Sequence, residues 1–122
     1  METVYHGIAY DKGQEVVVEI DGVFEPLDPR FDLRRHSPDG FAWGYHGSGP
    51  AQLALAVLAH ATGDDELALH LYQEFKRQVI ASLPQDDNFV LPKGAVTSWV
   101  SAAQIANDLQ TVADDHKKSV GG

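Results

Sequence analysis

Residues 41–60 read FAWGYHGSGPAQLALAVLAH and join two segments of opposite character. The first half is rich in glycine and aromatic residues, whereas the second half is apolar on every side except at Gln52 and His60. A helix without a polar face is buried in a core. The apolar pattern over residues 50–61 therefore predicts that this segment is the central helix of the fold. His60 lies at its C-terminal end, where the helix dipole favours a charged imidazole.

The glycines before this helix predict a tight turn into it. Glycine adopts positive φ angles without steric cost, so we expect Gly47 and Gly49 to hold backbone conformations that alanine resists. Ser48 or Gly49 is expected to be the N-cap and Pro50 to lie in the first turn, where its missing N–H costs nothing. Gly63 is expected to cap the other end.

The N-terminal part of the chain alternates with the period of β-strands. Three segments are predicted as antiparallel strands: 3–10, 14–20 and 23–27. Val4 and His6 fall on the side of the first strand that we interpret as the apolar one. Asp21 and Gly22 are typical of a two-residue hairpin turn.

Two more helices are predicted after the central one. The second begins at the acidic cluster 64–66 and the third covers about 94–112. Residues 89–91 either add a strand or lie across the core, and the aromatic alternation in 41–45 favours a short strand. Strands followed by helices indicate an α+β fold, with an antiparallel sheet of three to four strands packed against three helices. We expect one domain over residues 1–113 and a disordered tail over residues 114–122.

Composition narrows the classes of function. The net charge of −9 in 122 residues argues against nucleic-acid binding, which needs basic side chains. The absence of cysteine excludes disulfides and thiolate metal sites, and no signal peptide or membrane span is visible. Glu66, His70 and Glu74 share a helix face that we interpret as a solvated charge ladder. We therefore expect a cytoplasmic protein without metal or cofactor, and the oligomeric state stays open.

Three arginines immediately precede the glycine-rich stretch. Arg30, Arg34 and Arg35 fall in a stretch of six residues, although the chain as a whole is acidic. An anion could be held between these arginines and the positive N-terminal end of the central helix. The alternative is that they neutralise neighbouring aspartates. The candidate ligand-binding residues are Arg34, Arg35, His36, Ser37, Trp43, Tyr45, Gly47, Ser48, Gly49 and Gln52.

Three functions follow from these residues. The leading one is an accessory protein that binds a small anionic or nucleotide-like ligand at the glycine-rich loop and the helix N-terminus. The second is a protein–protein interaction module that uses its acidic surface or the aromatic loop, as an inhibitor from a phage or mobile element does. The third is a small hydrolase with Ser48 as nucleophile and His36 as base. Because glycine stands directly on both sides of Ser48, the G-x-S-x-G elbow does not match, and binding is expected rather than catalysis.

Residues 27–64 also resemble the signature of a known family. The specific part starts at His36 and follows the pattern HSPxGFxWGYxGSGPAQLALA, and the similarity continues through residues 67–84 and the N-terminal hairpin. The family comprises small microbial and phage-associated proteins that are known only as a domain of unknown function. The resemblance implies a shared fold and no particular reaction.

Overall fold

The computed structural model describes the backbone of residues 2–120 and the side chains of residues 2–111. In this part of the chain four strands and three α-helices follow one another, and a 3-10 turn at Ile80–Ser82 precedes the last strand. The elements are β1 (Thr3–Tyr10), β2 (Gly13–Ile20), β3 (Val23–Pro26), α1 (Ser48–Thr62), α2 (Asp65–Gln78), β4 (Phe89–Pro92) and α3 (Lys93–Val120). The predicted α+β arrangement is confirmed.

The four strands form one antiparallel sheet in the order β3-β2-β1-β4. Asp21 and Gly22 both have positive φ, at 51° and 82°, as the predicted hairpin turn requires. Phe89–Pro92 forms the fourth strand beside β1. The strand predicted in residues 41–45 is wrong, because Gly44 has a φ of 85° that breaks the extended path.

The buried side of β1 carries Tyr5 and Gly7 rather than Val4 and His6. The side that we interpret as the apolar one, with Val4 and His6, therefore faces away from the core and not into it. Gly7 lies on the same side as Tyr5, and the ring of Phe89 occupies the space that a Cβ at Gly7 would need. A glycine that makes room for an aromatic ring does not register as apolar in a sequence pattern.

Helix α1 is the centre of the core, as predicted. Every residue from Gly49 to Ala59 is buried, and α2 and α3 both contact α1. Gly63 has a left-handed φ of 66°, and its N–H donates to Ala59 O, which confirms the predicted C-cap. Asp64 caps α2 by accepting a hydrogen bond from Leu67 N at 3.1 Å.

The opposite side of the sheet is apolar and open. Phe24 and Val90 are 59% and 64% exposed there. By strand register they share this side with half-buried Val4, Ile8 and Val17 and with exposed Pro26. We call these six residues the open face: Val4, Ile8, Val17, Phe24, Pro26 and Val90.

Helix α3 continues beyond the packed body. Residues 104–111 are all exposed, including Ile105 at 60%. The predicted helix over 94–112 is present and is longer than expected, because α3 begins at Lys93 and ends at Val120. The predicted disordered tail, residues 114–122, lies outside the part whose side chains are described and stays a prediction.

Candidate functional site

The glycine-rich segment leads into α1 through a different cap from the one expected. The helix begins at Ser48 with Gly47 as N-cap, so Ser48 and Gly49 are not the cap. Gly47 O accepts the first helical hydrogen bond, from Ala51 N at 3.1 Å, which places the cap one residue earlier. Pro50 lies in the first turn, as predicted.

Close approach of the chain, and not positive φ, explains most of these glycines. Gly47 is extended, with a φ of 176°, and the left-handed residue of the segment is Gly44. A Cβ at Gly44 would lie 2.5 Å from the Cα of Gln85, and a Cβ at Gly49 would lie 2.6 Å from the Cβ of Ala42. The expected positive φ at Gly47 and Gly49 is thus wrong, although Gly49 is still confined by its neighbour.

The two aromatic candidates for a ligand-stacking role differ in exposure. Trp43 is 0% exposed, and its Nε1 donates to Asp87 O at 2.9 Å. Its ring packs in a T-shaped arrangement with that of Phe89, and the two centroids are 4.8 Å apart. A ring with no exposed surface stacks on no ligand, so Trp43 is a core residue. Tyr45 is 41% exposed, and its ring lies against Gly47.

Arg30 is held by two carboxylates. Its guanidinium donates to both oxygens of Asp32 and to both oxygens of Asp65, at 2.8–3.0 Å. The hydrogen bond to Asp32, followed by that to Asp65, raises the pKa of Arg30, and Arg30 in turn lowers the pKa of the Asp32 carboxyl. For this arginine the alternative interpretation, neutralisation of nearby acids, describes the geometry.

Arg34 and Arg35 are exposed and contact their own loop. Arg34 donates to Leu33 O at 2.8 Å, and the guanidinium carbon of Arg35 lies 5.5 Å from the centroid of the Phe31 ring. Both contacts are local ones, a backbone hydrogen bond and a cation–π pair. An anion between these arginines and α1 stays a prediction.

Gln52 joins the arginine-containing loop to the central helix. It is 0% exposed, and its amide makes four hydrogen bonds to the backbone of residues 29–37, which we call the clamped loop. Oε1 accepts from the N–H groups of His36 (2.7 Å) and Ser37 (3.2 Å). Nε2 donates to the carbonyls of Pro29 (2.6 Å) and Arg34 (3.0 Å). Because the hydrogen-bonding capacity of the amide is used, Gln52 is a structural clamp rather than a ligand contact.

The candidate nucleophile and base are not paired. His36 Nε2 lies 2.7 Å from the hydroxyl of buried Tyr72, and the two rings are in contact. Among the described residues no hydrogen bond joins His36 to Ser48, whereas nucleophilic catalysis needs the base within reach of the hydroxyl. Ser37 is held through its backbone by the clamp. The hydrolase prediction therefore gains no support from this geometry.

A tyrosine–histidine pair that the sequence did not indicate lies between sheet and helix. The hydroxyl of fully buried Tyr5 is 2.8 Å from Nδ1 of His60, and burial raises the pKa of Tyr5. Burial, followed by the charge of Lys93, lowers the pKa of His60. Both effects favour the neutral imidazole and oppose the charged form that the helix dipole favours. The pair borders a cavity of about 280 Å³, lined by Leu27, Asp28, Arg30, Ala56 and His60.

A second concavity of about 630 Å³ lies between α2 and α3, and its lining includes Leu71, Trp99, His70 and Arg77. Trp99 Nε1 donates there to Gln78 Oε1 at 2.9 Å. Among residues with described side chains, no group of three or more histidine and acidic residues is placed to hold a metal ion. No described helix is long and apolar enough to cross a membrane.

The open face carries charge as well as apolar surface. His6 Nε2 lies 2.7 Å from Glu19 Oε1 in its middle, and the His6 ring is 5.7 Å from that of Phe24. At one end the hydroxyl of Tyr10 donates to Glu15 at 3.0 Å, and this bond raises the pKa of Tyr10. The run Val16–Val18 is the sequence signal for this face, because consecutive apolar residues in a strand indicate two apolar sides.

The model of a family described as a family of unknown function, DUF6166, matches residues 5–102. The chain belongs to this family. The match extends from β1 into the first part of α3, so it takes in the sheet, α1, α2 and the clamped loop. The resemblance identified in the sequence is thus confirmed at the level of the family. Among curated proteins and solved structures none matches the chain.

Proposed function

We propose that this DUF6166 chain is a protein–protein interaction module and that the open face is its docking surface. One observation carries the proposal: apolar side chains run across all four strands on the side of the sheet away from α1, with Phe24 and Val90 more than half exposed. An exposed apolar patch on the surface of a domain is typical of a binding site.

The small-ligand function has weaker support than the interaction module. Three of its candidate or neighbouring residues are engaged in the fold: Trp43 in the core, Arg30 with two aspartates, and Gln52 with the clamped loop. The open face has no such internal partner among the described residues. Its apolar surface therefore remains available for another molecule.

The partner docks over the face rather than along an edge of the sheet. Both edge strands, β3 and β4, are only four residues long, and each ends in a proline, Pro26 and Pro92. Short edge strands and proline oppose the addition of a further strand. Side-chain contacts across the face are thus the mode of binding that this sheet favours.

Three matched serine variants test the proposal. Phe24→Ser and Val90→Ser remove exposed apolar groups from the open face, and Ile105→Ser removes a similarly exposed group from α3. We expect the amount of partner that co-purifies from native cells to fall at least about tenfold for the first two, a loss of about 1.4 kcal/mol. Ile105→Ser should retain the partner. Retention of the partner by both open-face variants would exclude this surface.

A further inference from the structure

We infer that the partner of the open face is a basic amphipathic helix, with an apolar stripe flanked by lysine or arginine. This inference rests on the proposed function, since it names what the docking surface accepts. It follows from the charges around the six apolar residues and from the dimensions of the sheet.

The strands and turns that form the open face are strongly acidic. Residues 2–26 contain one basic side chain other than histidine, Lys12, and no arginine. Only Glu19, beside His6, forms an ion pair with a described residue. By strand register Glu15 and Glu19 lie on the open face itself and Glu25 lies on the other side of the sheet. The six carboxylates in this segment are Glu2, Asp11, Glu15, Glu19, Asp21 and Glu25.

This charge selects among the occupants that an apolar surface admits. A second copy of the chain would place its own carboxylates against the same carboxylates, and like charges at an interface are strongly unfavourable. Nucleic acids and anionic membranes are repelled for the same reason. An apolar stripe on the partner would contact the apolar residues of the open face, and lysine or arginine side chains beside the stripe would lie near its carboxylates.

The dimensions of the face suit a helix. Strands of eight residues, such as β1 and β2, are about 27 Å long, which is the length of about 18 helical residues. Four strands span about 19 Å, wider than the roughly 10–12 Å diameter of a helix with its side chains. The other face of the same sheet already packs against helix α1, through Tyr5 and His60.

Two synthetic helical peptides of about 18 residues serve as probes. They share one leucine and alanine stripe, and they differ only in carrying lysine or glutamate beside it. In an NMR titration we expect the lysine peptide to shift the backbone amides of Val17, Phe24 and Val90, and to bind at least about tenfold more tightly than the glutamate peptide. Added salt should weaken the binding of the lysine peptide, because salt screens the attraction between exposed charges.

Charge reversals provide the matched control. Glu15 and Glu19 lie on the open face opposite Ile8 and Val4, so Glu15→Lys combined with Glu19→Lys should reverse the preference between the two peptides. Glu66→Lys combined with Asp108→Lys makes the same change of net charge on the exposed surfaces of α2 and α3. That second pair should leave the preference for the lysine peptide in place.

The outcomes separate the two proposals. Equal binding of both peptides, or binding of neither, overturns the basic helix. The proposed function still stands in that case if Phe24→Ser loses the native partner. If the protein dimerises in a concentration-dependent way and Phe24→Ser abolishes the dimer, the basic helix is overturned and the partner is a second copy of the chain. If the serine variants also keep the native partner, both proposals fail.

Discussion

Replacing Gln52 with leucine tests the role of the clamp directly. Leucine has nearly the same volume as glutamine, so the substitution leaves no large cavity in α1. It removes one acceptor and one donor group that together serve four backbone groups of the clamped loop. The expected effect is therefore a loss of hydrogen bonds and not of packing.

The magnitude follows from those four bonds. Each intramolecular hydrogen bond contributes about 1 kcal/mol net, and a buried group left without a partner costs about 1–3 kcal/mol. His36 and Ser37 are half-buried, so water reaches part of the loop once it is released. We expect Gln52→Leu to lower the free energy of unfolding by about 2–4 kcal/mol.

Urea unfolding followed by circular dichroism measures this loss, and hydrogen exchange at the amides of His36 and Ser37 reports on the loop itself. Gln73→Leu, at an exposed position of α2, is the matched control and should change stability by less than about 0.5 kcal/mol. If Gln52→Leu loses less than about 1 kcal/mol and leaves both amides protected, the clamp does not hold the loop.

The variant Gln52→Glu adds a check on the direction of the hydrogen bonds. One carboxylate oxygen replaces Oε1, while the other faces the carbonyls of Pro29 and Arg34. The protonated form can donate to one of them, so its folded pKa should lie above the usual value of about 4.3. The folded variant then binds the proton more tightly, and its stability relative to wild type should rise as the pH falls through that raised pKa. Stability that does not respond to pH would contradict the assigned bonds.

Two further variants test the glycine segment and the tyrosine–histidine pair. Gly44→Ala should lower the free energy of unfolding by more than about 2 kcal/mol, because Gly44 has a left-handed φ and a Cβ there would contact backbone. Gly47→Ala should lower it by less than about 1 kcal/mol, because only a tyrosine ring must move. Equal melting temperatures of the two variants would refute this distinction. His60 has a lowered pKa in the fold, so the neutral form is favoured, and its contribution to stability is complete above pH 6.5 and lost as the pH falls below that value. The difference in urea midpoint between wild type and His60→Gln should therefore shrink below pH 6.5, and a constant difference from pH 8 to 5 would show that Tyr5 does not depend on the neutral ring.

The fold was predictable where the signal lies in neighbouring residues. The apolar run after Pro50 predicted the central helix, and Gly63 and the turn at Asp21 were read correctly, because caps and hairpin turns depend on local backbone geometry. The buried side of β1 was not predictable from neighbouring residues. The space beside Gly7 is filled by Phe89, which is distant in sequence and becomes a neighbour of Gly7 only in the sheet.

The candidate site was harder to predict for a similar reason. Trp43 and Gln52 were read as ligand contacts from their residue types, yet each is satisfied by backbone atoms elsewhere in the chain. Tyr5 and His60 are 55 positions apart, and no local pattern links them. The chemistry of a side chain indicates what it can bind, but only the fold decides whether that capacity is already used.

The clamp of Gln52 has a consequence for how this protein can change over evolutionary time. All four of its hydrogen bonds go to main-chain atoms of residues 29–37, which every amino acid type supplies except for the missing N–H of proline. The clamp therefore holds the backbone of this loop without reference to the side chains of Arg34 and Arg35. Substitutions at Arg34 or Arg35 can accumulate there one at a time while the backbone stays in place. The surface of the loop is thus free to diversify on a fixed frame.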